Sequence, residues 1–261
     1  MIPKKIHYCW FGGNPLPELA QKCIASWKKY CPDYEIIEWN ENNFDVNCNQ
    51  YCAEAYAAKK WAFVSDVARL YALVTEGGIY MDTDVEVLKP LDEFLELDAF
   101  SGFEAFDRIP TGIMAASKGQ AMFAELLNDY ENESFLNSDG TPNLKTNVTR
   151  ITDACLKHGL VLNNTRQTVN GFTLFPNDYF CPKDSETKIL TITENTYTIH
   201  HFDGSWVSDE DKYMGEIRNK YRKFLPYQIA SYLARFISFA KYRGFVGAIR
   251  ETYSWIKRRN G

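Results

Sequence analysis

The sequence predicts an α/β protein that ends in a helical appendage. Three observations support this: strand-like runs alternate with helical patterns, glycine pairs separate several of them, and the composition turns basic and helical near residue 217. Of the 261 residues, 45% are apolar, enough to fill a sizeable core. We therefore predict one α/β domain over residues 1–216 and a basic amphipathic helical tail over 217–261.

The first 39 residues follow the order strand, loop, helix, strand. A β-rich run at 6–11 stops at a pair of glycines, and a helical pattern over 19–30 ends before Pro32. A second strand pattern covers 34–39. This order begins the kind of mixed α/β sheet that binds nucleotides at the carboxyl ends of its strands.

A longer helical pattern over residues 53–76 leads to a pair of aspartates. Two glycines end the helix, a short apolar strand follows over 79–81, and Asp82 and Asp84 come directly after it. Two carboxylates one residue apart can hold one hard cation, with Mg²⁺ or Mn²⁺ as the candidates. Because ligands of open α/β sheets bind where strands end, the sequence predicts a metal site here, with a capped turn as the alternative.

Two charged residues stand on the helix before the aspartates. Asp66 and Arg69 are three positions apart, which places them on one helical face. They could form a simple intrahelical ion pair. They could instead clamp a sugar, with the carboxylate accepting from hydroxyls and the guanidinium binding sugar or phosphate. The spacing alone leaves both interpretations open.

The charge is distributed unevenly along the chain. Residues 218–261 carry 11 basic residues and one acidic residue, a net charge of +10, whereas residues 1–217 carry 18 basic and 33 acidic residues, a net charge of −15. The acidic body argues against nucleic acid as a partner of the whole protein. The basic, aromatic tail predicts contact with an anionic membrane surface, with a helix packed on the main domain as the alternative.

The cysteines and the N-terminus indicate the compartment. Seven cysteines at irregular spacing predict reduced packing residues rather than disulfides or a zinc site. No secretory signal and no apolar run of membrane-spanning length is found in the sequence. These features predict a cytoplasmic protein, peripheral on the inner face of the membrane if the tail binds lipid.

A longer pattern surrounds the aspartate pair, in the stretches 6–13, 62–70, 77–91 and 200–206. This pattern resembles family 32 of the glycosyltransferases, the sugar transferases with a DXD motif. That family includes bacterial capsular polysaccharide enzymes and fungal mannosyltransferases, and it is similar to the glucosylating domain of large clostridial toxins. The match covers the N-terminal half well and the stretch 197–206 in patches.

The resemblance implies a GT-A fold and a retaining transfer of a hexose from a nucleoside-diphosphate sugar, either a UDP-sugar or a GDP-sugar, with the UDP-sugar favoured. The acceptor it implies is a glycan or lipid-linked oligosaccharide, as in capsular polysaccharide biosynthesis. Carried over by position, it implies a donor-binding set: Trp10, Ser65, Asp66, Arg69, Gly78, Tyr80, Asp82 and Ser205. The residues that it places closest to the reaction are Asp66, Arg69, Asp84 and Trp206.

The resemblance also implies a histidine in the metal site, with Mn²⁺ or Mg²⁺ as the cofactor. Strand alternation lets only one of His200 and His201 face that site. His201 and Gly204 look like the metal-binding His-x-x-Gly of related retaining galactosyltransferases. The expected metal ligands are therefore Asp82, Asp84 and His201.

Two other functions compete with the transferase. A metal-dependent nucleotide-sugar hydrolase would use the same carboxylates, but the sequence offers no evident base to activate water. A non-catalytic module that binds sugar nucleotides is disfavoured because both aspartates are present. No carboxylate can be named as a nucleophile, so a front-face retaining route is favoured by elimination. The acceptor side is expected near residues 104–114 and around Thr146 and Asn147.

Overall fold

The computed structural model describes residues 1–104, 107–185, 187–204 and 209–259. The chain divides into two compact units, Met1–Phe202 and Asp203–Gly261. The boundary that the sequence predicts, between residues 216 and 217, lies inside the second unit.

Strands and helices alternate along the first unit, as the sequence predicts. The strands are β1 Lys5–Cys9, β2 Glu35–Trp39, β3 Gly78–Met81, β4 Val85–Val87, β5 Ala99–Gly102, β6 Ile113–Ala116, β7 Gln167–Val169, β8 Phe172–Phe175 and β9 Thr198–His200. The helices are α1 Glu18–Tyr30, α2 Gln50–Ala57, α3 Trp61–Thr75, α4 Ala121–Asn128, α5 Asn147–Lys157 and α6 Asn177–Phe180, with a 3₁₀ turn at Asp92–Phe94.

Within the described residues, a seven-stranded mixed sheet has the order β2-β1-β3-β6-β5-β8-β7, and β4 and β9 form a separate two-stranded sheet. Strand β1 is parallel to both β2 and β3, so the carboxyl ends of all three meet at one edge. Strand β6 is antiparallel to β3 and pairs Ile113 with Met81, so its amino end reaches the same edge. The predicted α/β class, a mixed sheet followed by a helical C-terminal segment, is confirmed.

Strand β3 is buried on both faces, which explains its apolar run. Ile79 and Met81 belong to the cluster that includes Trp27 of α1, whereas Tyr80 belongs to the cluster built around α3. Each fully buried apolar side chain of this size contributes roughly 1.5–3 kcal/mol. The strand that precedes the aspartates is therefore held firmly in the centre of the sheet.

The single helix predicted over residues 53–76 is wrong in one respect, because the structure breaks it into α2 and α3. The amide of Lys60 donates to the carbonyl of Ala55 and that of Lys59 donates to Tyr56, both at 2.9 Å. Lys59 has a φ of 56°, so these bonds form a Schellman cap with a lysine in the left-handed position. Glycine is the usual residue there, and its absence hid the break from the sequence pattern.

Gly77 and Gly78 join α3 to β3 with φ values of 68° and 117°. A Cβ on Gly78 would lie 2.9 Å from His7 Nε2 and 2.9 Å from the carbonyl oxygen of Lys5. We therefore expect Gly78→Ala to lower the free energy of unfolding by about 2–5 kcal/mol, since it adds backbone strain to overpacking. Urea denaturation measures this loss.

Gly119→Ala is the matched control for that substitution. Gly119 also has a positive φ, of 76°, but a Cβ there would meet nothing within 4 Å. Gly119→Ala should therefore lower the free energy of unfolding only by the strain of the left-handed conformation, about 1–2 kcal/mol. Equal losses in the two variants would contradict the packing role assigned to Gly78.

The second unit contains helices α7 Asp209–Arg222 and α8 Tyr227–Arg259. Gly244 interrupts α8 with non-helical angles, φ 77° and ψ 164°, so α8 consists of two helical stretches. The Ser238 hydroxyl donates to the Glu210 carbonyl at 2.9 Å and packs α8 against α7. None of the helices in the described ranges is long and apolar enough to cross a membrane.

Candidate metal and donor site

Asp82 and Asp84 lie in the turn that leaves β3 and enters β4. The Asp82 amide donates to the Gly112 carbonyl at 2.8 Å, which continues the pairing between β3 and β6 for one more residue. The Val85 amide then donates to the Asp82 carbonyl at 3.0 Å and closes the turn. Tyr80 Oη donates to Asp82 Oδ1 at 2.8 Å. The pair therefore stands at the end of a buried strand, where the sequence pattern predicts it.

The small sheet brings a histidine to the aspartates. Strand β9 is antiparallel to β4 and pairs His200 with Val85, the residue after Asp84. His200 Nε2 lies 3.3 Å from Asp84 Oδ1. One ligand atom each from Asp82, Asp84 and His200 all lie within 4.8 Å of one another. Carboxylate oxygens and an imidazole nitrogen suit Mn²⁺, so these three residues form a group that could hold a divalent cation.

The structure places His200, and not the expected His201, in this group. His201 Nε2 instead lies 2.8 Å from Glu86 Oε2, which is also 3.2 Å from Lys22 Nζ. Strand alternation allows one of the two histidines to face the aspartates. The register of β9 against β4, which local sequence does not reveal, gives that position to His200.

The surroundings of His200 are shaped to hold its ring. A Cβ on Gly112 would lie 2.6 Å from His200 Nδ1, so only glycine leaves room for the imidazole. Burial lowers the pKa of His200, but the neighbouring Asp84 carboxylate and Cys181 outweigh it and raise the pKa well above its ordinary value. Without a cation, the imidazolium therefore supplies positive charge beside Asp84.

Arg69 links Asp66, on the same helix α3, to the group of Asp82, Asp84 and His200. Its Nη1 lies 3.5 Å from Asp66 Oδ1 and its Nη2 lies 3.3 Å from Asp82 Oδ1. Its guanidinium carbon also lies 4.7 Å from the centre of the Tyr80 ring. The side chains of Arg69 and Asp66 are only 7% and 11% exposed. The two residues therefore belong to a buried charged network and are not a surface ion pair.

Backbone carbonyls fix the orientation of Arg69. Its Nε donates to the Ser65 carbonyl at 3.1 Å, one helical turn earlier, and its Nη1 donates to the Thr111 carbonyl at 3.3 Å. Ser65 itself is half-buried on α3. No sequence pattern predicts the contact of Thr111 with Arg69, because that contact depends on how β6 enters the sheet.

Asp66 is held from the other side by the start of α5. The Asn147 amide donates to Asp66 Oδ2 at 3.3 Å, and Asn147 Nδ2 donates to the Asp66 carbonyl at 2.7 Å. Tyr130 Oη donates to Asn147 Oδ1 at 2.6 Å. Asn147 was expected on the acceptor side, and the structure places it against Asp66. Tyr130 is a contributor that the sequence analysis missed.

Burial raises the pKa of Asp66 to about 6, although Arg69 and the Asn147 amide act in the opposite direction. A carboxyl whose pKa is raised by folding stabilises the fold most when protonated. Its contribution is full below the ordinary value of 3.8 and is lost as the pH rises through about 6. At about 1.4 kcal/mol per pKa unit, the loss is roughly 3 kcal/mol.

Asp66→Asn should remove this pH dependence. We expect the stability of Asp66→Asn relative to the wild type to increase by roughly 3 kcal/mol between pH 4 and pH 7. Urea unfolding in the presence of a chelator measures both proteins, and their difference isolates this one group. Parallel pH profiles for the two proteins would contradict the buried environment of Asp66.

The remaining expected donor residues have different positions. Trp10 directly follows β1, at the edge where β3 ends, and its indole N–H donates to the Asn14 carbonyl at 2.6 Å. Gly78 lies at the opposite end of β3, so the structure gives it a packing role and does not bring it to this edge. Ser205 and Trp206 lie outside the described residues.

Residues 17–101 match the family described as "Glycosyltransferase sugar-binding region containing DXD motif". We call residues 17–101 the DXD region. The resemblance to family 32 of the glycosyltransferases is thereby confirmed, and Asp82-Thr83-Asp84 is the DXD motif. The DXD region contains α1 to α3 and the whole of β3 and β4, hence Asp66, Arg69 and both aspartates.

Two curated proteins match about half of this chain. Subversion of eukaryotic traffic protein A of Legionella pneumophila is 26% identical over 172 residues, covering 53% of this chain and 26% of its own length. Inositol phosphoceramide mannosyltransferase 3 of Schizosaccharomyces pombe is 27% identical over 142 residues, covering 51% of this chain and 38% of its own. The chain thus spans well under half the length of these curated relatives.

Among solved structures, PaToxG Glycosyltransferase aligns with a TM-score of 0.45 and 19% identity, covering 60% of this chain and 69% of its own.

Proposed function

We propose that this chain is a metal-dependent retaining glycosyltransferase, which moves a hexose from a UDP-sugar to a glycan or lipid-linked oligosaccharide in polysaccharide biosynthesis. One observation carries the proposal. The charged network of Asp66, Arg69 and Asp82, in which Asp66 and Arg69 are buried, adjoins the group of Asp82, Asp84 and His200 at the sheet edge where β1 and β3 end. Sites for nucleotides in α/β proteins lie at such an edge.

Asp82, Asp84 and His200 are the residues that would hold Mn²⁺ or Mg²⁺. A divalent cation bound there supplies a Lewis acid, which stabilises the negative charge that a departing diphosphate acquires. The three side chains are partly buried and converge, so the donor atoms fit such an ion before any rearrangement.

The network behind these residues positions the donor. Arg69 is fixed by two carbonyls and two carboxylates, so its positive charge is oriented before the substrate binds. Preorganised charge of this kind stabilises developing negative charge without a cost of reorganisation. In this proposal Asp66 accepts hydrogen bonds from sugar hydroxyls, since among the described residues its carboxylate receives one backbone amide and one long ion pair.

Retention of configuration is proposed from the family resemblance, and the carboxylates of the described site residues are all engaged by cationic side chains. Asp66 and Asp82 are both engaged by Arg69, and Asp84 is engaged by His200. A front-face route, in which the leaving phosphate guides the acceptor hydroxyl, requires no carboxylate nucleophile. The proposed mechanism therefore uses this chain's residues for binding, orientation and charge stabilisation.

Donor-dependent turnover tests the proposal. The purified protein is incubated with UDP-glucose, UDP-galactose or GDP-mannose, with Mn²⁺ or with chelator, and with or without a panel of oligosaccharide acceptors. We expect release of nucleoside diphosphate that needs Mn²⁺ and rises with acceptor, and a product one hexose heavier by mass spectrometry. Release that ignores every acceptor would indicate a hydrolase, and binding without turnover would indicate a non-catalytic module. Either result would overturn the proposal.

A further inference from the structure

We propose that the second unit binds an anionic lipid surface through an exposed apolar strip on α8. The strip consists of Ile229, Leu233, Phe245, Val246 and Ile249. Each of these side chains is exposed, and Phe245 and Val246 are 64% and 80% exposed. Several large apolar side chains in a row on a surface indicate an interaction site, whereas scattered ones do not.

The strip forms because the neighbouring face of the same helix is already occupied. Ala230 and Ala234 are fully buried, and Ser238 bonds to Glu210 of α7, so this row at four-residue spacing faces α7. Ile229 and Leu233 stand one position earlier in each turn and form a second row beside it. Both side chains of that second row are exposed.

The interruption at Gly244 extends the strip. Its left-handed φ of 77° turns the chain between Arg243 and Phe245. Phe245 then packs edge-on against Phe236, with ring centres 5.7 Å apart, and so continues the apolar surface of the first helical stretch. Val246 and Ile249 follow at helical spacing in the second stretch.

The charge of the same segment selects the partner. Residues 218–261 have 11 basic residues and one acidic residue. Lys223, Lys241 and Arg250 are exposed together with the apolar strip. A second copy of this unit would bring like charges together, whereas an anionic headgroup layer attracts each Lys or Arg by about 1 kcal/mol. A basic helical segment with exposed aromatic and aliphatic side chains is the arrangement that lies in the membrane interface.

Vesicle sedimentation of the full chain tests the inference. Vesicles of phosphatidylcholine alone are compared with vesicles that contain phosphatidylglycerol, at low and high salt. We expect binding to the anionic vesicles, weak binding to the neutral ones, and loss of binding at high salt. The double variant Val246→Asp with Ile249→Asp should bind anionic vesicles at least about tenfold more weakly.

A matched variant controls for added charge. Val161 and Ile189 are exposed apolar residues of the first unit, 58% and 64% exposed. Val161→Asp with Ile189→Asp adds the same two charges and should bind as the wild type does. Circular dichroism checks that both variants fold.

Three outcomes would overturn the inference: no binding to anionic vesicles, equal loss in both double variants, or a dimer in solution that Val246→Asp with Ile249→Asp dissociates. The last would assign the strip to a second copy of the chain. Turnover with a soluble acceptor is measured in parallel, so failure of lipid binding is distinguished from failure of the proposed activity.

Discussion

Asp84→Asn is expected to lower kcat/KM for metal-dependent transfer by at least about 1,000-fold, a loss of about 4 kcal/mol of transition-state stabilisation. The substitution keeps the size of the side chain but replaces a charged ligand by a neutral amide. Asp84 stands beside His200 in the group that could hold the cation, so its charge is the part that the amide cannot replace. Loss of this charge weakens binding of the cation, and a cation that dissociates can no longer stabilise the leaving diphosphate.

Two measurements accompany this substitution. Thermal denaturation with Mn²⁺ and a UDP-sugar should give a stabilising shift for the wild type and none for Asp84→Asn, because a ligand stabilises only the state that binds it. Asp139→Asn, which alters an exposed aspartate in a loop, should keep both the shift and the activity. Activity of Asp84→Asn within threefold of the wild type would contradict the assignment of Asp84.

Arg69→Lys is expected to lower kcat/KM by at least about 100-fold while the protein remains folded. Arg69 contacts Asp66 and Asp82 with its two terminal nitrogens and the Ser65 carbonyl with its Nε. A lysine ammonium keeps the charge but cannot reproduce this planar fork. The retained charge limits the loss of stability, so the effect should appear in turnover more than in folding.

Arg69→Met removes the positive charge as well as the planar guanidinium. Comparison with Arg69→Lys therefore separates the effect of the charge from the effect of the geometry. Arg69→Met leaves the buried carboxylate of Asp66 and the partly buried carboxylate of Asp82 without their cation, so we expect a loss of about 3–5 kcal/mol in the free energy of unfolding. Arg166→Lys is the matched control, since the guanidinium of Arg166 also lies over a ring, 5.1 Å from the centre of Phe175. If Arg69→Lys and Arg166→Lys behaved alike in turnover, the network would not position the donor.

Much of the site is encoded in local sequence. The aspartate pair follows an apolar strand and a glycine pair, so its position at a strand end requires only short-range pattern and turn chemistry. The shared helical face of Asp66 and Arg69 follows from their spacing. The spacing does not determine whether Asp66 and Arg69 are buried, and burial decides whether they form a surface ion pair or an internal network. Packing of the helix against the sheet determines that burial.

The features that local sequence does not reveal arise where distant segments meet. The choice of His200 over His201 depends on the pairing of β9 with β4, two strands more than 110 residues apart in the chain. The contact of Asn147 with Asp66 joins residues 81 positions apart. The break between α2 and α3 depends on a lysine in a left-handed cap, a position for which the sequence offers no glycine. No local sequence pattern predicts a strand register, a contact between distant residues or a helix cap that lacks glycine.

Anomalous diffraction at the manganese edge, from crystals grown with MnCl₂ and UDP, would show whether Asp82, Asp84 and His200 hold a cation. We expect one strong peak within about 2.0–2.3 Å of the carboxylate oxygens of Asp82 and Asp84 and of the His200 imidazole, with the diphosphate bound beside it. A diphosphate bound at this edge without any cation there, or a cation held only by other residues, would contradict this expectation.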